Sequence, residues 1–365
     1  MNAVIVGGGI MGCSVALELR KRGIDVTVLE RSVPGAEASS AAAGMLAPQL
    51  EGSGPGSFLD LCLRSRAMYP KWTAQLQAET GIDVGFLACG ALKVAFDEAE
   101  VHGLDAQVAW QKACGLRSDL LDGAEARRRV PALSEHALAA AWLPDDAQVD
   151  NARLMRALTA AAEKAGARFR RGYVRSVLEQ GGRATGVDLD GETLAADAVV
   201  LAAGSWSGLV AGARIDPRLV RPVRGQMAEI ELRARPFEPL LFGRHGYVVP
   251  RADGRLLLGS TSEEAGFEKD VTLGGLHQVL GKALALAPAL AEARVERTWA
   301  GLRPATADGL PVLGKGPLEG LFLATGHFRN GILLAPMTAR VIGQLIAGEP
   351  PAQSLEPFRY ARLAG

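Results

Sequence analysis

Three glycines in the pattern Gly7-x-Gly9-x-x-Gly12 follow the apolar run Ala3-Val4-Ile5-Val6, and Glu30 ends a second such run, Val26-Thr27-Val28-Leu29. Each of these residue types has a chemical use at its place. Gly7 permits a tight turn, Gly9 lets backbone approach a pyrophosphate, and Gly12 lets helix and strand pack closely. The helix that starts here turns free N–H groups and a positive dipole end toward the anion. Glu30 can accept hydrogen bonds from the hydroxyls of an adenosine ribose, which favours a 2′-hydroxyl over the 2′-phosphate of NADP. A related arrangement stands near the other end, where Leu321-Phe322-Leu323-Ala324-Thr325-Gly326 runs into His327-Phe328-Arg329-Asn330-Gly331 and a helix, aiming a second helix start at a ligand.

To hold the glycines in place, the chain must form a βαβ unit. Residues 3–6 read as a strand, and Val15, Ala16 and Leu19 recur at helical spacing before Gly23 closes the helix. Residues 35–46, Gly-Ala-Glu-Ala-Ser-Ser-Ala-Ala-Ala-Gly-Met-Leu, are too small to build a core and suit a backbone running beside a flat ligand, with Ser39 and Ser40 able to bond phosphate or ribose oxygens. Residues 51–57 read as an exposed glycine-rich loop, and 58–80 as a helix kinked or divided at Pro70. A strand is predicted over 90–96, helices over 100–113 and 122–129, and a strand over 139–143. The run Arg127-Arg128-Arg129 reads as a solvated helix face. A second βα rhythm covers 151–204, where a buried strand delivers Gly204 at its carboxyl end and Trp206 reads as a packing anchor. Between 221 and 303 the texture turns β-rich, implying an antiparallel sheet in a separate layer.

Bulk properties narrow the class. The 365 residues exceed what one core usually serves, so two domains are expected. Lys plus Arg and Asp plus Glu are both 40, so no net charge recommends nucleic acid or an anionic membrane as partner. Cys13, Cys62, Cys89 and Cys114 lack the spacing of a thiolate metal site, and no metal is expected; Cys13 and Cys62 read as small buried hydrophobes. Structural sequence begins within three residues of Met1 and no apolar run has transmembrane length, which implies a soluble cytoplasmic protein.

Gly7-x-Gly9-x-x-Gly12 with Glu30, the small-residue run 39–46, Trp299-Ala300-Gly301-Leu302-Arg303-Pro304 and the segment 326–336 together resemble the FAD-dependent amine and amino-acid oxidases of the D-amino-acid oxidase superfamily. With Tyr247-Val248-Val249-Pro250-Arg251, the last segment looks most like the glycine-oxidase branch, associated with bacterial thiamine biosynthesis. The resemblance runs nearly end to end. It implies an α/β fold: a Rossmann-like FAD-binding domain (1–85, 144–220 and 304–365) and a substrate domain built on an antiparallel β-sheet (86–143 and 221–303). It also implies noncovalent FAD, since no cysteine follows Cys114 to attach it. By position, Ile10 and Met11 would lie at the pyrophosphate turn, Glu30 and Arg31 at the adenosine end, and Val174 on the adenine side. Ala38, Ser39, Ala43, Gly44 and Met45 would line the flavin's path, and His327, Phe328, Arg329, Asn330, Gly331, Ile332 and Leu333 would surround the isoalloxazine and ribityl chain.

For the substrate, the resemblance implies Arg303 as carboxylate anchor, Tyr247 as a second donor and Arg329 at the edge of the site, with His245 shaping the pocket. The plain alternative pairs Arg303 with Asp308. The implied chemistry is hydride transfer from the substrate Cα to flavin N5 without a catalytic acid–base side chain, O2 then being reduced to hydrogen peroxide. Products would be glyoxylate or another 2-oxo acid with ammonia, or an imine used in thiazole synthesis. Ser262 stands where the branch pattern has a methionine, so sarcosine and small D-amino acids join glycine as candidate substrates. A homotetramer is the implied assembly. Rival readings are an FAD-dependent dehydrogenase with a quinone or carrier acceptor, a noncatalytic dinucleotide-binding regulator and, more remotely, a tRNA-modifying oxidase domain.

Overall fold

Four of the five residues of the strand Asn2–Val6 are buried, as a central strand covered on both faces requires. It pairs in parallel with Asp25–Glu30 on one side and Ala198–Leu201 on the other. The computed structural model describes residues 1–233, 236–244 and 246–363. Among them the sheet has six strands, completed by Arg168–Arg171 at one edge and by Leu321–Thr325 and Val312–Lys315 at the other. Only the last pair is antiparallel.

Alternation along these strands sorts the core. Ala3, Ile5, Val26 and Val28 pack with Val15, Leu19, Leu154 and Ile342 of the helices Ile10–Lys21, Asn151–Lys164 and Gly331–Ile346. Val4, Val6 and Leu29 face the other way, onto Val177 and Val187 of a three-stranded antiparallel sheet. Cys13 and Cys62 are buried, and all four cysteines are free.

The helix Ser57–Thr80 continues through Pro70, which therefore does not divide it. Pro70 lies on the exposed side, where water can satisfy the carbonyl it leaves unbonded. The buried side is tied to the C-terminal helix: the Ser65 hydroxyl donates to the Leu333 carbonyl at 2.7 Å and the Tyr69 hydroxyl to that of Ile332. The helix Gly123–Arg129 starts, as its sequence implies, on Asp122 with a reciprocal Glu125 cap. Arg128 and Arg129 are exposed, as expected, Arg129 lying over the Trp142 ring, whereas half-buried Arg127 donates to the Glu135 and Ala137 carbonyls at 3.0 and 3.1 Å.

The β-rich half forms an eight-stranded sheet, in the order Arg294–Ala305, Arg221–Glu231, Arg255–Gly259, Gly246–Pro250, Leu240–Gly243, Ala91–Ala95, Ala139–Leu143, Asp119–Asp122. It is not wholly antiparallel as expected, because Leu240–Gly243 and Ala91–Ala95 run parallel. These strands come from separate stretches of chain, so no hairpin constrains their direction. Helix Leu273–Leu286 packs on one face through Val279, Ala283 and Leu286. The other face meets Ala43, Ala47 and Leu50, so the segment joining the layers lies against both. No helix among the described residues is long and apolar enough to cross a membrane.

Candidate active site

A cleft runs from the carboxyl ends of the first sheet to the face of the second. At its first end the glycine turn is dictated by contact. Gly7 has φ +105°, and a Cβ there would meet the Ala202 carbonyl oxygen at 2.5 Å. The Gly8 N–H donates to Glu30 Oε2 at 2.8 Å and the Ile10 N–H to Ser39 Oγ at 2.9 Å, leaving the N–H groups of Gly9 and Met11 as donors for an anion. Arg31 lies 3.8 Å over the Trp206 ring, so Trp206 serves as a stacking surface in the cleft wall and not only as packing. Val174 lines the same end.

The floor is the segment 38–45. Gly44 has φ +73°, and a Cβ there would collide with the Val149 carbonyl. Buried Arg251 fixes this segment, donating to the Ala43 carbonyl at 3.0 Å, Gln148 Oε1 at 2.9 Å and Asn151 Oδ1 at 3.1 Å. Asn151 in turn donates to the Ser39 carbonyl at 2.8 Å. Burial pushes the Arg251 guanidinium down to about 10. Its place in a motif was visible in the sequence, but its partners, which come from separate segments, were not.

At the far end the helix Gly331–Ile346 begins against the cleft, preceded by a single turn over Phe328–Asn330 in which Phe328 has φ +47°. His327 is buried and hydrogen-bonded to Thr338 at 3.1 Å, and burial pushes its imidazole down to about 3, so the ring is neutral. Arg329 is exposed at the mouth. Of the cofactor residues expected from sequence, Gly12 and Leu333 are not among the cleft's walls. A Cβ on Gly12 would collide with the Gly7 carbonyl, so this glycine serves packing, and Leu333 is buried in the core.

Arg303 comes from the long edge strand and Tyr247 from Gly246–Pro250, and two glycines make room for them. A Cβ on Gly225 would collide with the Arg303 guanidinium and one on Gly259 with the Tyr247 ring. Arg303 donates to the Thr261 carbonyl at 3.2 Å and Ser260 Oγ at 2.6 Å, with the Tyr247 oxygen beside it. Burial lowers its pKa. Asp308 is taken by Arg362 at 2.7 Å, and among the described residues no carboxylate pairs with Arg303. The Tyr247 hydroxyl donates to Met227 Sδ at 3.2 Å and its ring stacks on Phe242. Ser262 lines this end, whereas His245 lies outside the described residues.

Glu51 is here too. It does not begin an exposed loop, as expected, but ends the short helix Pro48–Glu51 and lines the cleft. Pro at the first helical position with an acid in the first turn is a helix-start signature that would have set Glu51 apart from the glycines behind it.

The family pattern described as FAD dependent oxidoreductase matches residues 2–345. The chain belongs to the FAD-dependent oxidoreductase family. It is 37% identical to the glycine oxidase of Geobacillus kaustophilus, covering 100% of this chain and 97% of that protein. The crystal structure of glycine oxidase from Geobacillus kaustophilus superposes with a TM-score of 0.94 over 99% of this chain and 98% of that one. The bifunctional protein ThiO/ThiG of Synechocystis sp. is 40% identical over 99% of this chain, which spans only 54% of that relative's length.

An FAD-dependent oxidoreductase needs a long site with anion donors at one end and a flat, close-walled path, and the residues present fit that need. Helix-start N–H groups face the cleft at Gly9 and Met11, the floor from Ala41 to Gly44 carries no side chain larger than a methyl group, and a second helix start stands at the far end.

Proposed function

We propose that this chain carries out FAD-dependent oxidative deamination of glycine and other small amines, including sarcosine and small D-amino acids. The observation that carries the reading is the guanidinium of Arg303, half-buried beside Tyr247 at the end of the cleft and in no ion pair with a described carboxylate. Similarity to a glycine oxidase over the whole chain supports it. Arg303 would take the substrate carboxylate through two parallel hydrogen bonds, fixing its plane, with Tyr247 as a further donor and Arg329 at the rim.

Glu30 and Arg31 would hold the adenosine end, Val174 the adenine, and the Gly9 and Met11 N–H groups the pyrophosphate. Residues 38–45 and the helix start at 327–332 would line the flavin's path. FAD, when bound, accepts two electrons from the substrate and delivers them to O2, giving hydrogen peroxide. The chain's own share is positioning and the exclusion of water. Arg303 and Tyr247 set the line of the Cα–H bond, while Met227 and Phe242 give the site apolar walls. The released imine would hydrolyse to glyoxylate or another 2-oxo acid with ammonia, or enter thiazole synthesis. None of the four cysteines is among the cleft's described walls, which favours noncovalent FAD. The resemblance also carries a homotetramer in the cytoplasm, the assembly being readable by sedimentation.

The test is anaerobic addition of glycine, sarcosine and D-alanine to the purified holoenzyme while its visible spectrum is followed. Glycine should bleach the flavin, and air should restore it with release of peroxide; recovery only with a dye or quinone would point to a dehydrogenase. Arg303→Lys should keep the spectrum and lower kcat/KM about a hundredfold. Bound flavin that none of the three amines reduces would end the reading.

A further inference from the structure

The acidic side chains lining the cleft among the described residues are Glu30, Glu37 and Glu51. Two are occupied by the protein itself. Glu30 accepts from the Gly8 and Ser32 N–H groups, and Glu37 pairs with Arg31 and Lys269. Glu51 stands at the opposite end, among Arg303, Arg329 and Tyr247, and its carboxylate makes no hydrogen bond or ion pair to any described residue. The charges of Arg329, Arg303 and Lys93 act on it, yet Lys93 donates to Gln107 Oε1 at 2.7 Å. Cys62, also close by, is un-ionised, its thiol held far above the usual range by burial.

Glu51 is held in place from behind. Asp146, buried, accepts from the Leu50 N–H at 2.9 Å and pairs with Arg66 at 2.8 Å. The Gln49 carbonyl accepts from Gln107 at 2.7 Å and Gln111 at 2.8 Å. A buried polar network of this kind fixes the short helix and with it the direction of Glu51. The result is a carboxylate and an arginine, neither in an ion pair with a described residue, lining one cleft. That pair of charges complements an amino-acid zwitterion, whose ammonium and carboxylate need opposite partners.

We propose that Glu51 receives the substrate's amino group, binding the ammonium and taking its proton so that the neutral amine is the species that reacts. In that step an N–H bond breaks, its electron pair stays on nitrogen, and an O–H bond forms on the Glu51 carboxylate. Burial holds the Glu51 carboxyl above its ordinary range, in the direction a proton acceptor near neutral pH requires. The inference rests on the amine-oxidation reading above.

The experiment compares wild type, Glu51→Gln and Glu51→Asp as holoenzymes. For Glu51→Gln, kcat/KM for glycine at neutral pH should fall about ten- to a hundredfold. The loss should shrink as pH rises toward the pKa of the free amine, because neutral substrate then arrives from solution. Acetate, which offers a carboxylate and no amine, should perturb the flavin spectrum of the Gln variant at the same or lower concentration than in wild type. Glu51→Asp should recover part of the rate. An unchanged kcat/KM and pH profile in Glu51→Gln overturns the assignment, as does an equal loss of affinity for acetate and glycine, which would mark general damage to the site. Wild-type flavin that no amine reduces sinks the function and this role together, whereas normal wild-type turnover with an indifferent Gln variant removes only the role.

Discussion

His327 is a single residue whose environment makes a testable demand. In the unfolded chain an imidazole takes up a proton below about pH 6.5, whereas in the fold burial holds His327 neutral down to about 3. Because the folded pKa is depressed, this group's contribution to stability is complete above pH 6.5 and is lost progressively as pH falls toward 3. Between pH 7 and pH 5 the fold should lose about 2 kcal/mol through this residue. His327→Gln, which can still hydrogen-bond Thr338, should lose correspondingly less over that interval in urea unfolding, and an equal loss in both proteins would show that the ring is charged or exposed. At this scale the glycines and Glu30 were legible because their spacing reports what the backbone must do. Glu51 was not, since its charged neighbours belong to strands and turns far along the chain.

Among the elements, the segment 38–51 is built of short pieces, the helices Ala38–Ala41 and Pro48–Glu51 around the two-residue strand Met45–Leu46, and has the most to position. Its path is set by Arg251, whose acceptors Ala43, Gln148, Val149 and Asn151 surround a buried guanidinium. Arg251→Met should leave several of these groups unpaired and destabilise the protein by about 3 kcal/mol. The same variant should release FAD more readily, with the dissociation constant rising about tenfold or more. A melt and a flavin-release titration would check both; unchanged FAD retention would mean that the floor keeps its shape without the clamp. Strands and helices were readable wherever period and capping agreed, as at Gly123–Arg129 behind Asp122. The continuity of Ser57–Thr80 through Pro70 was not, because it depends on which side of the helix faces water. The parallel join of Leu240–Gly243 to Ala91–Ala95 left no local mark in either strand.

For the whole molecule, both layers contribute walls to the cleft, so FAD bound there as proposed should be coupled to global stability. At free FAD one hundred times its dissociation constant, the gain should be about 2.7 kcal/mol. Stripping FAD should therefore lower Tm, and adding it back should restore the value; a Tm indifferent to FAD would place the cofactor outside the cooperative unit. The division into layers was legible from the change in texture near residue 221. The mixed strand directions of the second sheet depend on long-range pairing and were not. That pairing also bears on how the protein comes into being at the ribosome. Ala91–Ala95 emerges long before Leu240–Gly243, its neighbour in the sheet, and at ordinary elongation rates the gap is on the order of ten seconds. During that interval one edge of the strand has no partner and the apolar faces of the half-built sheet await their cover. The nascent chain, more than the finished enzyme, is then the form in greatest need of a chaperone, and FAD cannot relieve that need before Gly331 has been made.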